Sequence, residues 1–322
     1  MVAHDCYLFR MKRLAKRLLS ILLTIVVVSL IVFLLQEYAL GDSASYILSE
    51  DAGGSAADIF RDAVSADGSM MERYISFLQA FLSGRWGNTV SGQDIAGTIA
   101  DRAGATLSLA VLSVLLSVLI SVPVSLVSVR PGGFSDRAAS FFSVIILSLP
   151  SFLISFFLII LFSFLLGILP PAGYVHPSVS VPGWIRTLML PALSLSLLYA
   201  AMIIRIFRKA LRENIDKPYA RALYAAGASY PEVLMKGAFK PSLPVLYTLI
   251  ASSFSSAVAG AAVTETVFAF PGLGSLMVTA ALSRDAVLSG TLVMLAALAV
   301  SSTYMILEFV LFMTDPRSRR EA

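Results

Sequence analysis

Soft metal donors are scarce in these 322 residues: one cysteine, Cys6, and two histidines, His4 and His176. A lone cysteine excludes an intrachain disulfide. Two isolated histidines, with no Cys or Asp/Glu cluster at ligand spacing, leave a zinc site without its donors, so neither a metal nor a cofactor is expected in this chain. Charge is scarce as well, at 14% of residues, against about a quarter in an average soluble domain. Glycine is never followed by lysine, so the phosphate-cradling pattern G-x-x-x-x-G-K-[ST] is missing and no ATP-hydrolysing loop of that kind exists here. No catalytic residue is expected, and nucleic acid is not an expected partner.

Apolar residues fill the space, at 57% of the chain. Six runs, at 18–40, 106–128, 141–167, 187–208, 243–263 and 287–312, approach or exceed the roughly 20 helical residues that cross a bilayer. The expected class is therefore an all-α integral membrane protein with six transmembrane helices. Pro123, Pro150 and Pro191 lie inside runs, where neighbouring helices can re-satisfy freed carbonyls, so each is expected to kink a helix and not to end it. The first run follows Arg10, Lys12, Arg13, Lys16 and Arg17 but is too long for a signal peptide and shows no small-residue cleavage site.

Placing the N-terminus in the cytoplasm puts 18 Lys and Arg residues inside and 6 outside, and gives the first outer loop nine acids between Asp42 and Asp101. The positive-inside rule then favours cytoplasmic termini. The expected layout is a cytoplasmic segment 1–17, a transmembrane domain 18–313 with an extracytoplasmic loop 41–105 and a cytoplasmic loop 209–242, and a cytoplasmic tail 314–322.

Within the outer loop, Ser69 and Glu72 form a capping box, apolar residues recur at helical spacing from Met71 to Leu82, and Gly84 suits a helix stop. An amphipathic helix is expected there, packed on the bundle, lying on the membrane surface, or docking an extracytoplasmic partner. The stretch after the third run, GILPPAGYVHPSVSVPGW, reads as a rigid folded-back loop. On the inner side, Arg205, Arg208, Lys209 and Arg212 form one helical stripe, expected to anchor lipid phosphate.

Spans two to five carry no Asp, Glu, Lys or His in their central stretches, and Glu37 and Glu308 lie toward the ends of spans one and six. Buried ionisable groups are the usual mark of ion or proton coupling, so active transport would need an outside engine. The inner loop holds the segment YARALYAAGASYPEVL, residues 219–234. Pro218 suits a first helical turn, Gly227 a stop, and Ser229 with Glu232 a second capping box with Pro231 in its first turn. The alanines between these caps let another surface approach closely. A cytoplasmic partner's socket, with Leu223, Tyr224, Val233 and Leu234 as apolar anchors, is one outcome, and packing on the chain's own bundle is the other.

The tract YARALYAAGASYPEVLMKGAFKPSLPVL resembles the cytoplasmic coupling loop of ABC importer permeases. RLLSILLTIVVVSLIVFLLQEYALGD, GILPPAGY, ETVFAFPGLGSLMVTAALSRD and DPRSR, in this order, are similar to the peptide/nickel permease family, first-permease type, over nearly the full length. Gly237 stands where that family usually has His, and Pro241 where it has Asn. The resemblance implies a type I ABC importer permease fold in the inner membrane. It also implies a permease subunit of an ATP-driven, binding-protein-dependent importer for peptides or a related solute such as a nickel complex. Implied partners are a second homologous permease, two cytoplasmic ATP-binding subunits that use ATP and Mg, and an extracytoplasmic solute-binding protein. Tyr219, Arg221, Ala222, Ala225, Gly227, Glu232, Val233 and Leu234 are the expected coupling residues. Glu265, Phe270, Pro271, Gly272 and Gly274 are candidates for an outer gate or for a structural re-entrant turn. A secondary transporter or channel, or a non-transporting membrane scaffold, stands as the alternative function.

Overall fold

The computed structural model describes residues 21–36 and 69–314. The expected segment 1–17, the Gly41-Asp42 step, residues 41–68 of the outer loop and the DPRSR tail lie outside the described residues. Described are helices α1 (Ile21–Gln36), α2 (Met70–Leu82), α3 (Ile95–Val127), α4 (Phe134–Ser148), α5 (Ser151–Leu165), α6 (Val181–Ile215), α7 (Pro218–Ala225), α8 (Tyr230–Ala259), α9 (Ala262–Val267), α10 (Leu273–Leu282) and α11 (Ala286–Thr314).

Four helices among the described residues are long and apolar enough to cross a membrane: α3, α6, α8 and α11. They fall on the expected runs at 106–128, 187–208, 243–263 and 287–312, while α1 carries the apolar run at 18–40. The run at 141–167 departs from expectation. Instead of a kinked helix it is two helices, α4 and α5, bent by 108° at their junction. Leu149, forced toward extended backbone by the proline ring that follows, has φ −91° and ψ 137°, and Pro150 caps α5. Pro123 and Pro191 stay inside α3 and α6 as expected.

Two compact units divide the chain. The first holds α1, α2, the start of α3 up to Gly104, α10 and α11 up to Ser301. Its α2 follows the sequence closely: the Ser69 hydroxyl accepts from the Glu72 N–H while the Glu72 carboxylate accepts from the Ser69 N–H at 2.8 Å, and Gly84 takes φ +71° just past the end. Asp285 caps α11 through the Leu288 N–H at 2.9 Å and also accepts from the Val90 N–H at 2.8 Å, pinning the loop before α3. Gly290 gives α11 its fit against α1: a Cβ there would collide with the Gln36 side-chain amide and lie 2.8 Å from Val32 Cγ1.

The second unit runs from Ala105 to Pro271 and resumes at Ser302. One apolar cluster joins Ala105 and Leu109 of α3, Ile154 and Leu158 of α5, Leu188 and Leu195 of α6, and Phe268 and Phe270 after α9. A second joins Ile203, Phe207 and Leu211 of α6 to Leu234, Ala238, Leu246 and Leu249 of α8. Between α5 and α6, Ser155 and Ser194 share a buried hydrogen bond at 2.7 Å, satisfying hydroxyls where no water competes.

Candidate functional site

Helix α7 is eight residues long and starts with Pro218 in its first turn, where the missing N–H has no helical partner to lose. It ends as the sequence indicates. The Ala228 N–H reaches back to the Leu223 carbonyl and the Gly227 N–H to the Tyr224 carbonyl, both at 3.0 Å. This double bond pattern is the Schellman stop, and it places Gly227 at φ +85°. No atom lies within 4 Å of a Cβ built at Gly227, so backbone conformation and not crowding is what requires glycine.

The start of α8 differs from expectation. The Ser229 hydroxyl makes no capping bond, and the Glu232 carboxylate pairs with Lys236 at 2.6 Å. From Val233 to Phe239 the helix widens into a π turn before continuing as an α-helix. One wide turn rotates the faces of α8, and with them Val233 and Leu234. Both are buried in this chain, Leu234 within the α6–α8 cluster, so they pack inward and do not project as apolar anchors.

Two contacts hold the inner face of α7, and a third, from Asn214 to Ser242, ties α6 to α8 behind it. Ala220 is fully buried, and a Cβ on Gly237 would lie 3.1 Å from its Cβ. That close approach accounts for a glycine at 237, where a His side chain would need the space α7 occupies. Tyr219 donates its hydroxyl to Asn214 Oδ1 at 2.8 Å, and Asn214 donates in turn to Ser242 Oγ at 2.8 Å. The opposite face is open: Arg221, Ala222, Tyr224, Ala225, Ala226 and Gly227 are all exposed. Packing on the chain's own bundle therefore takes Ala220, while Ala222, Ala225 and Ala226 are left exposed.

The basic stripe on α6 is a correction. Arg208 is buried and its guanidinium meets the Asp136 carboxylate at 2.9 Å, the Asp136 carbonyl at 2.9 Å and Ser140 Oγ at 2.7 Å. Arg212 meets the same carboxylate at 2.6 Å and the carbonyls of Ser128 and Val129. These two arginines clamp the loop between α3 and α4 onto α6 instead of facing lipid phosphate. Lys209 pairs with Glu213 at 3.8 Å along the exposed face, and Arg205 is exposed. Next to the clamp, the Arg130 guanidinium sits 3.8 Å from the centre of the Tyr230 ring, a cation–π contact at the foot of α8. Periodicity placed the arginines on one face, and only the distant Asp136 decides which way that face turns.

The tract 265–274 is divided between the units. In the second, Glu265 is fully buried and accepts from the Thr106 hydroxyl at 2.9 Å. The Phe270 N–H bonds the Glu265 carbonyl at 2.7 Å, Ala269 adopts φ +49°, and the Gly173 N–H donates to the Phe268 carbonyl at 2.9 Å. The Tyr174 ring stands edge-on to Phe270 at 4.9 Å, so the loop after α5 does fold back onto this turn, and Pro271 is half-buried at its end. In the first unit, Gly272 caps α10 and Gly274 is buried in its first turn.

Comparison with known proteins gives this architecture a family. Residues 118–320 match the family model described as binding-protein-dependent transport system inner membrane component. A probable peptide ABC transporter permease protein of Sinorhizobium fredii is 32% identical over 307 residues, covering 94% of this chain and 98% of that protein. A putative peptide transport system permease protein of Brucella abortus is 30% identical over 308 residues, with 94% and 98% covered. A glutathione transport system permease protein of Shigella flexneri is 29% identical over 272 residues, with 84% and 86% covered. Among solved structures, a chain of the MetNI methionine ABC transporter in an inward-facing conformation superposes with a TM-score of 0.57 at 19% identity, covering 68% of this chain and 96% of that one. That likeness carries the fold. The chain thus belongs to the family of binding-protein-dependent transport system inner membrane components, the multi-pass permease subunits of ABC importers.

Proposed function

We propose that this permease passes peptides or peptide-like solutes across the inner membrane, paired with a second permease of the same family. ATP hydrolysis is supplied by separate cytoplasmic subunits, and solute is delivered by an extracytoplasmic binding protein. The peptide class follows the names of the relatives from Sinorhizobium and Brucella, and the glutathione permease fits it, glutathione being itself a small peptide. The spans offer hydroxyls and backbone but few charges to a solute, which leaves selectivity largely to the binding protein.

One observation carries the coupling role: α7 is two-faced. Tyr219, Ala220 and the Gly237 contact lock one side to α6 and α8, while Ala222, Ala225, Ala226 and Gly227 present an exposed surface with almost no side-chain bulk. A helix held rigidly from behind and smooth in front suits a socket in a partner. Pushed by ATPase closure, it would move with α6 and α8 as one body and bias a two-state membrane domain. Arg221 and Tyr224 flank the smooth patch as polar and aromatic contacts. In this account the Glu265–Pro271 turn, with its buried carboxylate and aromatics, is fixed packing that shapes the end of α9.

The test adds bulk where the chain itself has room. Ala222→Trp and Ala225→Trp should leave membrane levels unchanged and abolish co-purification of the ATPase subunits together with solute uptake. Full retention of those subunits by both variants would refute the docking assignment.

A further inference from the structure

In the second unit, α3 and α8 sort the same residue types in opposite directions. On α3 the serines are inside: Ser113, Ser117, Ser121 and Ser125 recur every fourth residue and all are fully buried. The open row of α3 is aliphatic, Leu107, Val111, Leu115 and Leu119. On α8 the apolar residues are inside. From Lys240 to Ala259 no large apolar side chain is exposed; the exposed residues are Lys240, Thr248, Ser256 and Ala259, and Ser252 is half-buried.

Thr248, Ser252 and Ser256 lie at i, i+4 and i+8, one row along the helix, near the middle of the apolar run at 243–263. Thr248 donates to the Pro244 carbonyl at 2.9 Å. Among the described residues the Ser252 and Ser256 hydroxyls have no hydrogen-bond partner. Ser255, at i+7 from Thr248 and i+3 from Ser252, shares their side of α8. It is 5% exposed, and its Oγ is also without a partner. Buried hydroxyls in folded proteins are bonded in the great majority, and a hydroxyl left in hydrocarbon without a partner is unfavourable. Unbonded hydroxyls gathered on one side of a membrane-crossing helix therefore point to a polar occupant and not to acyl chains.

We propose, resting on the peptide reading above, that Thr248, Ser252 and Ser256 line the solute path, with Ser255 bordering it, and that their hydroxyls bond the backbone amides of a peptide in passage. The spacing of the row, about 6 Å, is close to the two-residue repeat of an extended chain, about 6.6 Å, after which N–H and C=O groups point the same way again. A hydroxyl both donates and accepts, so it serves either group without charge and without regard to the peptide's side chains. Lining donors and acceptors of this kind set what a transporter passes, and here they admit many sequences.

The experiment uses proteoliposomes holding the complete assembly, with ATPase subunits and solute-binding protein, this chain carrying Cys6→Ser together with Ser252→Cys, Ser256→Cys, Leu115→Cys or Leu119→Cys. A membrane-impermeant cationic methanethiosulfonate reagent modifies thiols that water reaches. During ATP turnover, positions 252 and 256 should react about tenfold or more faster than 115 and 119, and saturating trialanine should slow them about threefold or more. Modification should then block trialanine uptake. Reaction at 252 and 256 no faster than at 115 and 119 would overturn the proposal, the face being covered by lipid or by the second permease. So would uptake that survives full modification at both positions. Uptake by the assembly carrying Cys6→Ser alone checks the peptide reading separately: its absence, with fast reaction at 252 and 256, would refute the peptide class and keep the path.

Discussion

Two glycines carry different physical demands, and substitution separates them. At Gly290 the demand is space. Its missing Cβ lets Val32 and Gln36 of α1 approach α11, and Gln36 uses that proximity to donate to the Ala286 carbonyl at 3.0 Å. Gly290→Val should overpack this contact and destabilise by about 1–3 kcal/mol, read as a lower Tm in detergent; an unchanged Tm would show that α1 moves aside freely. At Gly227 the demand is conformation, φ +85° with open space around it. Gly227→Val should cost on the order of 1–3 kcal/mol of local strain, weakening ATPase retention without lowering membrane levels. Gly227→Asn, which tolerates the left-handed region better, should retain more of those subunits than the valine variant.

At the scale of elements, the clamp of Arg208 and Arg212 on Asp136 decides how α6 meets the first turn of α4. Asp136→Ala would leave the buried Arg208 and the half-buried Arg212 without their shared carboxylate, a loss on the order of 1–3 kcal/mol, whereas Arg205→Ala, at an exposed position, should be near neutral. Thermal unfolding of the two variants checks this, and equal Tm values would mean the clamp contributes nothing. The same region shows what the sequence makes legible. Local chemistry mostly came through: the Ser69–Glu72 box, the Gly84 and Gly227 stops and Pro218 in a first turn all rest on neighbours within a few residues, while the Ser229–Glu232 box gave way to the Glu232–Lys236 pair. Long-range geometry did not. The inward turn of Arg208 depends on a carboxylate 72 positions away, the π turn that begins at Val233 is not announced by periodicity, and the size of the break at Pro150, 108°, is not specified by a proline alone. Of the candidate coupling residues, Arg221, Ala222, Ala225 and Gly227 share the exposed face, while Tyr219, Val233 and Leu234 support it from behind.

As a whole, the molecule is a multi-pass permease subunit of the ABC importer family. The distribution of Lys and Arg predicts that a reporter fused after Gly68 is extracytoplasmic and one fused after Ala228 is cytoplasmic; finding both on one side would contradict the topology on which a cytoplasmic α7 depends. The central claim is that this chain converts ATP hydrolysis by partner subunits into solute movement. Peptide uptake into proteoliposomes tests it most directly, comparing the complete assembly of both permeases, ATPase subunits and binding protein with the same assembly lacking ATP and with this chain alone. Uptake is predicted only in the complete, ATP-supplied assembly. Flux through the chain alone, driven by an ion gradient or by the solute gradient itself, would contradict it.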